Sequence, residues 1–198
     1  MAGTGVFVGR EGEPSRLRSA LRERVRLVLV VGDAGIGKTR FVAEGLALAA
    51  APEGVLSVAG GCLPLAEKLP LLPVADALAE LSRVDDGAPF EAALEAAPAF
   101  VRPDLARLLP RLAEGEAGAA GAAEEWQRER LFAAVAELLG GVARRSQLRL
   151  LIEDVHWADA ATLDFLTYLA RAVRGTAVRA VVLPQRRGAV GRRGGRAR

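Results

Sequence analysis

The 198-residue sequence is short of several things at once: it has one cysteine, one histidine, two lysines and only 5% aromatic residues. A single cysteine, Cys62, excludes a disulfide framework, and one His with one Cys excludes a cysteine/histidine zinc site. Apolar runs such as Leu27 to Val31 are far too short to cross a bilayer, and no charged-then-apolar leader opens the chain at Met1. A cytoplasmic protein without a membrane partner is therefore expected. From Pro184 onward there is no acidic residue, only six Arg and four Gly among fifteen positions. Those six arginines account for the pI near 9.7, because the rest of the chain sets 21 basic against 24 acidic residues, a body of net −3. The basic pI is thus no sign of a nucleic-acid-binding face. No aromatic residue interleaves the arginines for base stacking and no helix-turn-helix pattern is visible, so residues 184–198 read as a disordered tail and direct DNA binding is not expected.

What is present is 51% hydrophobic residues in a length suited to one domain with a core of its own. Residues 10–24, with Leu17 and Leu21 at helical spacing and Pro14 in the first turn, predict a short surface helix. Val25 to Val31 is a β-branched run closed by Gly32, the pattern of a buried parallel strand. A helix is expected from about Lys38 to Ala50, and a second strand from Val55 to Ala59. Residues 62–123 read as a helical insertion broken by seven prolines, with helices at Leu72 to Leu81, Phe90 to Ala97 and Pro103 to Leu112. Glu114 to Ala123, all Gly, Ala and Glu, reads as a linker. A long helix follows from Glu124 to about Arg145, its apolar stripe made by Leu131, Val135, Leu138 and Val142 beside Phe132 and Leu139. Leu148 to Ile152 is a third strand. Asp159 is placed to cap a helix over residues 160–173 with Leu163, Leu166, Ala170 and Val173 inward, and Ala177 to Leu183 is a fourth strand. Strands alternating with helices imply an α/β fold, a three-layer sandwich on a mostly parallel sheet of about four strands, over residues 1–183.

The chemistry is written in Gly32-Asp33-Ala34-Gly35-Ile36-Gly37-Lys38-Thr39, which fits G-x-x-x-x-G-K-[ST] at every position. Glycines let successive backbone N–H groups turn inward on phosphate oxygens that side chains would otherwise block. In such a loop Lys38 reaches the β- and γ-phosphates and the Thr39 hydroxyl holds Mg²⁺. The plain alternative is a glycine-rich turn, but a chance match in a chain this long is on the order of one per cent. A phosphate loop also asks for an acid at the end of a neighbouring strand, and Leu148-Arg149-Leu150-Leu151-Ile152-Glu153-Asp154 supplies two. Consecutive residues of a strand face opposite ways, so Glu153 and Asp154 have different tasks. Which of them binds metal and which acts on the attacking water is left open by the sequence.

At this point Val8-Gly9-Arg10-Glu11, VVGDAGIGKTR and LLIEDVHWADAATLDFLTYLAR together resemble the AAA-type ATPase module of the STAND class, over roughly residues 6–183. The likeness is nearest to the module that opens large LuxR-type bacterial transcriptional regulators. It implies an ATP/ADP-dependent switch with slow hydrolysis and Mg²⁺ as cofactor. It also implies roles by position. Val8, Gly9 and Arg10 would lie near adenine and ribose, and Gly32 through Arg40 would hold the phosphates. Glu153 and Asp154 would form the Walker B pair, catalytic together with Lys38, with Thr39 and the acids on the metal. His156, Trp157 and Asp159 match the family string just beyond, where Trp157 reads as a packing anchor, Asp159 as a helix cap, and His156 as either a nucleotide sensor or a structural hydrogen-bonding residue.

Two departures stand out. The metal-binding acid of the class is commonly Asp, and the first of the pair here is Glu153, which leaves Asp154 as the better metal candidate. After the fourth strand the class has a polar residue and an Arg sensing the γ-phosphate, then a further strand and a lid. This chain reads Val182-Leu183-Pro184-Gln185-Arg186-Arg187, with Arg186 as the only sensor candidate. Without the further strand Val25 to Val31 would lie on an open edge prone to self-association, so the chain is expected to be a truncated or frame-shifted part of a longer regulator whose downstream domains it would contact. The rival readings are a module that binds nucleotide without hydrolysing it, an inactive fragment, and a small-molecule kinase, the last disfavoured by the few basic residues between Cys62 and Ala123. Cys62 reads as an idle buried thiol, Lys68 as solvated, and Trp126 as packed.

Overall fold

A computed structural model describes residues 17, 19, 27–30, 32–33, 54–64, 69–113, 124–173, 175–183 and 185–186. The expected helix at 38–50, the linker at 114–123, most of the 10–24 segment and all beyond Arg186 lie outside these residues. The strands are β1 (Leu27–Leu29), β2 (Gly32–Asp33), β3 (Val55–Gly61), β4 (Gln147–Glu153), β5 (Val178–Val182) and β6 (Gln185–Arg186). The helices are α1 (Leu72–Leu81), α2 (Ala88–Glu95), α3 (Val101–Leu105), α4 (Glu124–Ala143) and α5 (Ala160–Ala172). Four strands pair in the order β1-β5-β4-β3, every pair parallel.

The sequence explains the order of burial. β4 lies between two neighbours and its run from Leu148 to Ile152 is buried throughout, as a central parallel strand requires. Leu148, Leu150, Ile152, Val178, Ala180, Val182 and Val58 point to one face, where α1, α2, α4 and α5 build the main core. Phe132 of α4 meets Phe165 of α5 edge-on at 5.4 Å, and Phe90 of α2 is fully buried beside them in the same cluster. The other face carries Leu151, Val181 and Leu183 with Leu17 upon them, flanked by Val28, Val30 and Ala59.

At the edges the position of β1 agrees with expectation, and its burial does not. β1 forms an edge of the described sheet, its Leu27 and Leu29 are exposed, the latter at 59%, and its Val28 is only half-buried, so this is not the buried strand expected. β3 forms the opposite edge, and there the Glu80 carboxylate of α1 accepts the outward N–H of Ala59, so a ladder donor is satisfied by a side chain. β3 also runs two residues longer than expected. Gly60 allows it, since a Cβ there would stand 1.8 Å from the Pro73 carbonyl oxygen at the start of α1.

Three apolar side chains expected inside are outside. Trp126 is 53% exposed under the Arg130 guanidinium, 4.9 Å from its ring centre. Trp157 is 43% exposed, so it is not a packing anchor. Leu163 is 47% exposed, because Thr162 turns inward to bond Asp159 and the buried stripe of α5 becomes Thr162, Phe165, Leu166 and Leu169. The expected helix over 103–112 is instead α3 followed by a separate 3-10 turn, Pro110–Leu112, since Leu109 before the proline is driven out of helical conformation. Among the described residues no helix is long and apolar enough to cross a membrane.

Candidate functional site at the carboxyl ends of the strands

In open parallel sheets, ligands bind beyond the carboxyl ends of the strands. Here β1 and β4 deliver the two halves of the expected chemistry to that end, with β5 between them. β1 pairs with β5 from Leu27↔Ala180 to Leu29↔Val182, and Gly32↔Gln185 and Asp33↔Arg186 keep the same offset. The N–H of Val30 donates to the Val182 carbonyl at 2.9 Å and bridges the two ladders. The backbone at the mouth of the glycine-rich loop is thus held against Gln185–Arg186, two residues of the segment read as a tail. Ala34, Gly35, Ile36, Gly37, Lys38, Thr39 and Arg40 lie outside the described residues, as do Val8, Gly9 and Arg10.

The acid pair is held from both sides by main chain. The N–H of Cys62, just past β3, donates to the Glu153 carbonyl at 3.0 Å. On the other flank the N–H of Leu183 reaches the Ile152 carbonyl at 2.9 Å, and the N–H of Val155 reaches the Leu183 carbonyl at 3.2 Å. Glu153 ends the strand on the face of Leu151, and its Oε1 is buried without a hydrogen-bond partner among the described residues. Asp154 leaves the strand in the left-handed region, φ 52° and ψ 38°, and its side chain is half exposed. That conformation costs a non-glycine residue on the order of 1 kcal/mol and suits Asp better than most. It turns the chain into a 3-10 turn, Val155–Trp157, closed by the Trp157 N–H on the Asp154 carbonyl at 2.8 Å.

Around the acids stand His156, Asp159 and Cys62. His156 Nδ1 is buried without a hydrogen-bond partner and faces Asp154 Oδ1 at 3.9 Å, while its ring leans on Trp157 at 5.0 Å. Of the two roles expected of His156, nucleotide sensor or structural hydrogen-bonding residue, the second gains no support from Nδ1 among the described residues. Asp159 caps α5 as expected, accepting the Thr162 N–H at 2.9 Å and the Thr162 hydroxyl. Its second oxygen also accepts the N–H of Leu71 at 3.3 Å, and Leu71 itself is held at φ 62° before α1. One carboxylate thus ties together the N-termini of α1 and α5, a role that no local pattern in the sequence could reveal. Burial, with Asp159 and then Asp154 nearby, pushes the Cys62 thiol up to about 11, so it is no nucleophile.

The donor set suits a hard cation, since Glu153 and Asp154 offer carboxylate oxygens and Glu153 Oε1 is unsatisfied. Among the described residues no cluster of three His, Cys, Asp or Glu could cage a metal by itself. A magnesium site of the phosphate-loop type needs none, as one or two carboxylates join a hydroxyl and the phosphates.

A four-strand, all-parallel sheet flanked by helices, with a glycine-rich sequence after an edge-side strand and an acidic pair closing a central one, is a P-loop NTPase-like fold. The profile of the AAA ATPase domain matches residues 6–183, and the chain belongs to that family, a nucleotide-binding ATPase module. No curated protein matches the chain.

Proposed function

We propose that this chain is an ATP-binding, slowly hydrolysing signal-transduction module of a transcriptional-regulator-like protein, with ATP and Mg²⁺ as its ligands. The observation that carries the reading is the pair of strand ends: Gly32–Asp33 follows β1 and Glu153-Asp154 closes β4, one strand apart at one pole of the sheet. The ATPase unit reaches past residue 183 to β6 at Gln185–Arg186, with about 62–123 as its helical insertion and the basic residues after β6 as its tail. Gly32 through Arg40 bind phosphates, with Lys38 on the β- and γ-phosphates, while Val8, Gly9 and Arg10 line the base and ribose. Bound Mg²⁺ neutralises charge on the transferred phosphoryl group. Thr39 and Asp154 hold it, a role that the half-exposed Asp154 carboxylate supports. Glu153 orients the attacking water, and the unsatisfied Oε1 supports that assignment.

Phosphate release from Mg²⁺-ATP by the 198-residue chain tests this reading against Asp154→Asn and Glu153→Gln. Asn tolerates the left-handed conformation, so Asp154→Asn stays folded but needs more Mg²⁺. Glu153→Gln slows turnover by about a hundredfold or more at an unchanged Mg²⁺ requirement. ATP bound but never hydrolysed by the wild type would reduce the module to a binding one.

A further inference from the structure

The strand ends occupy one pole of the molecule, and at the other a cleft of about 570 Å³ opens between α4 and α5. Ala133, Ala136, Glu137 and Gly140 form its α4 wall, Arg144 lines it one residue past the end of α4, and Tyr168 of α5 stands opposite. Positions 133, 137 and 140 fall on one face of α4, and Arg144 follows in the turn that closes the helix. That face is open, since a Cβ on Gly140 would meet nothing within 4 Å, whereas one on Gly141 would press the Ala93 side chain at 3.0 Å. Glu137 and Arg144 are exposed, and neither forms an ion pair among the described residues.

These two charges are of opposite sign and lie seven residues apart, one on the last turns of α4 and one just past its end, a spacing of about 10 Å at helical rise. A second α4 laid antiparallel about a two-fold axis between them sets each Glu137 against Arg144 of the other copy, twice over. Such a face is complementary to itself, which is what an isologous dimer requires. The Ala and Gly floor lets the two helix backbones approach closely. We infer that this cleft is a homodimer surface, in which α4 of each copy lies antiparallel in the α4–α5 cleft of the other and the Glu137–Arg144 pairs fix the register. The thirteen lining residues are about half of the 20–30 a side in a standard interface, so the dimer is weak and reversible. The surface stands on this geometry alone and does not depend on nucleotide binding.

Sedimentation velocity of the 198-residue chain over about 1–200 μM tests it, a range that brackets a weak dimer. The wild type associates with rising concentration. Glu137→Arg alone and Arg144→Glu alone each set like charges against each other across the axis and weaken the dimer by about tenfold or more. Both positions are exposed, so unchanged circular dichroism separates lost pairing from lost fold. An equimolar mixture of the two variants associates again, because each copy then offers the sign that the other needs. A wild type that stays monomeric throughout, a dimer indifferent to both changes, or a mixture no stronger than its components would each overturn the inference.

Discussion

Asp154 and Asp159 show how much a single carboxylate decides here. Asp154 accepts a left-handed backbone in order to end β4 and start the turn, and Asp159 satisfies three donors from two helices. The helix-cap part of that role was legible in the sequence, because Asp three residues before Thr at a helix start has a local reason. The bond to Leu71, 88 residues away, was not, since it depends on how β3 and β4 pair. Cys62 gives the residue scale its test. Its thiol is buried and lifted from 9.0 to about 11, so the folded chain holds that proton more tightly than the unfolded one. The resulting stability is present below about pH 9 and is lost as pH climbs toward about 11. At pH 8 a disulfide reagent should find no reactive thiol in the native protein and one after unfolding in guanidinium. Rapid release of one equivalent from native protein would contradict the burial described.

Among the elements, α1 lies where the sequence placed it, residue for residue, because Pro73 in its first turn and the Val74, Ala77, Leu78 and Leu81 stripe are all local signals. The inward face of α5 was less legible: helical spacing alone favoured Leu163, and only the side-chain bond from Thr162 to Asp159 rotates that leucine outward. Exposed Trp126 and Trp157 were missed for a similar reason, as a large apolar ring carries no mark of which way its helix or turn faces. β3 and α1 meet at Gly60, and there the packing is tight enough to measure. Gly60→Ala would thrust a methyl group onto the Pro73 carbonyl, an overpacking cost of about 3 kcal/mol that lowers the melting temperature by about 6–12 °C. Gly61→Ala is the control, since a Cβ there meets nothing within 4 Å, and it should shift melting by less than about 3 °C. Equal effects from both substitutions would show that the contact with Pro73 is not the constraint.

At the scale of the whole molecule, the sheet order β1-β5-β4-β3 turns scattered motifs into one site. The alternation of strands and helices foretold a parallel sheet. Pattern alone does not supply the shared offset of the β1–β5 and β2–β6 ladders, which carries the pairing on to Arg186. It arises from long-range strand pairing, to which hydrophobic periodicity is blind. The central claim is that this pole of the sheet binds nucleotide through Lys38, and thermal unfolding tests it most directly. With Mg²⁺-ATP or Mg²⁺-ADP at a hundredfold excess over Kd, the wild type should gain about 2.7 kcal/mol and melt about 5–11 °C higher, and Lys38→Ala should lose that gain. A folded wild type whose melting neither nucleotide moves would contradict the account.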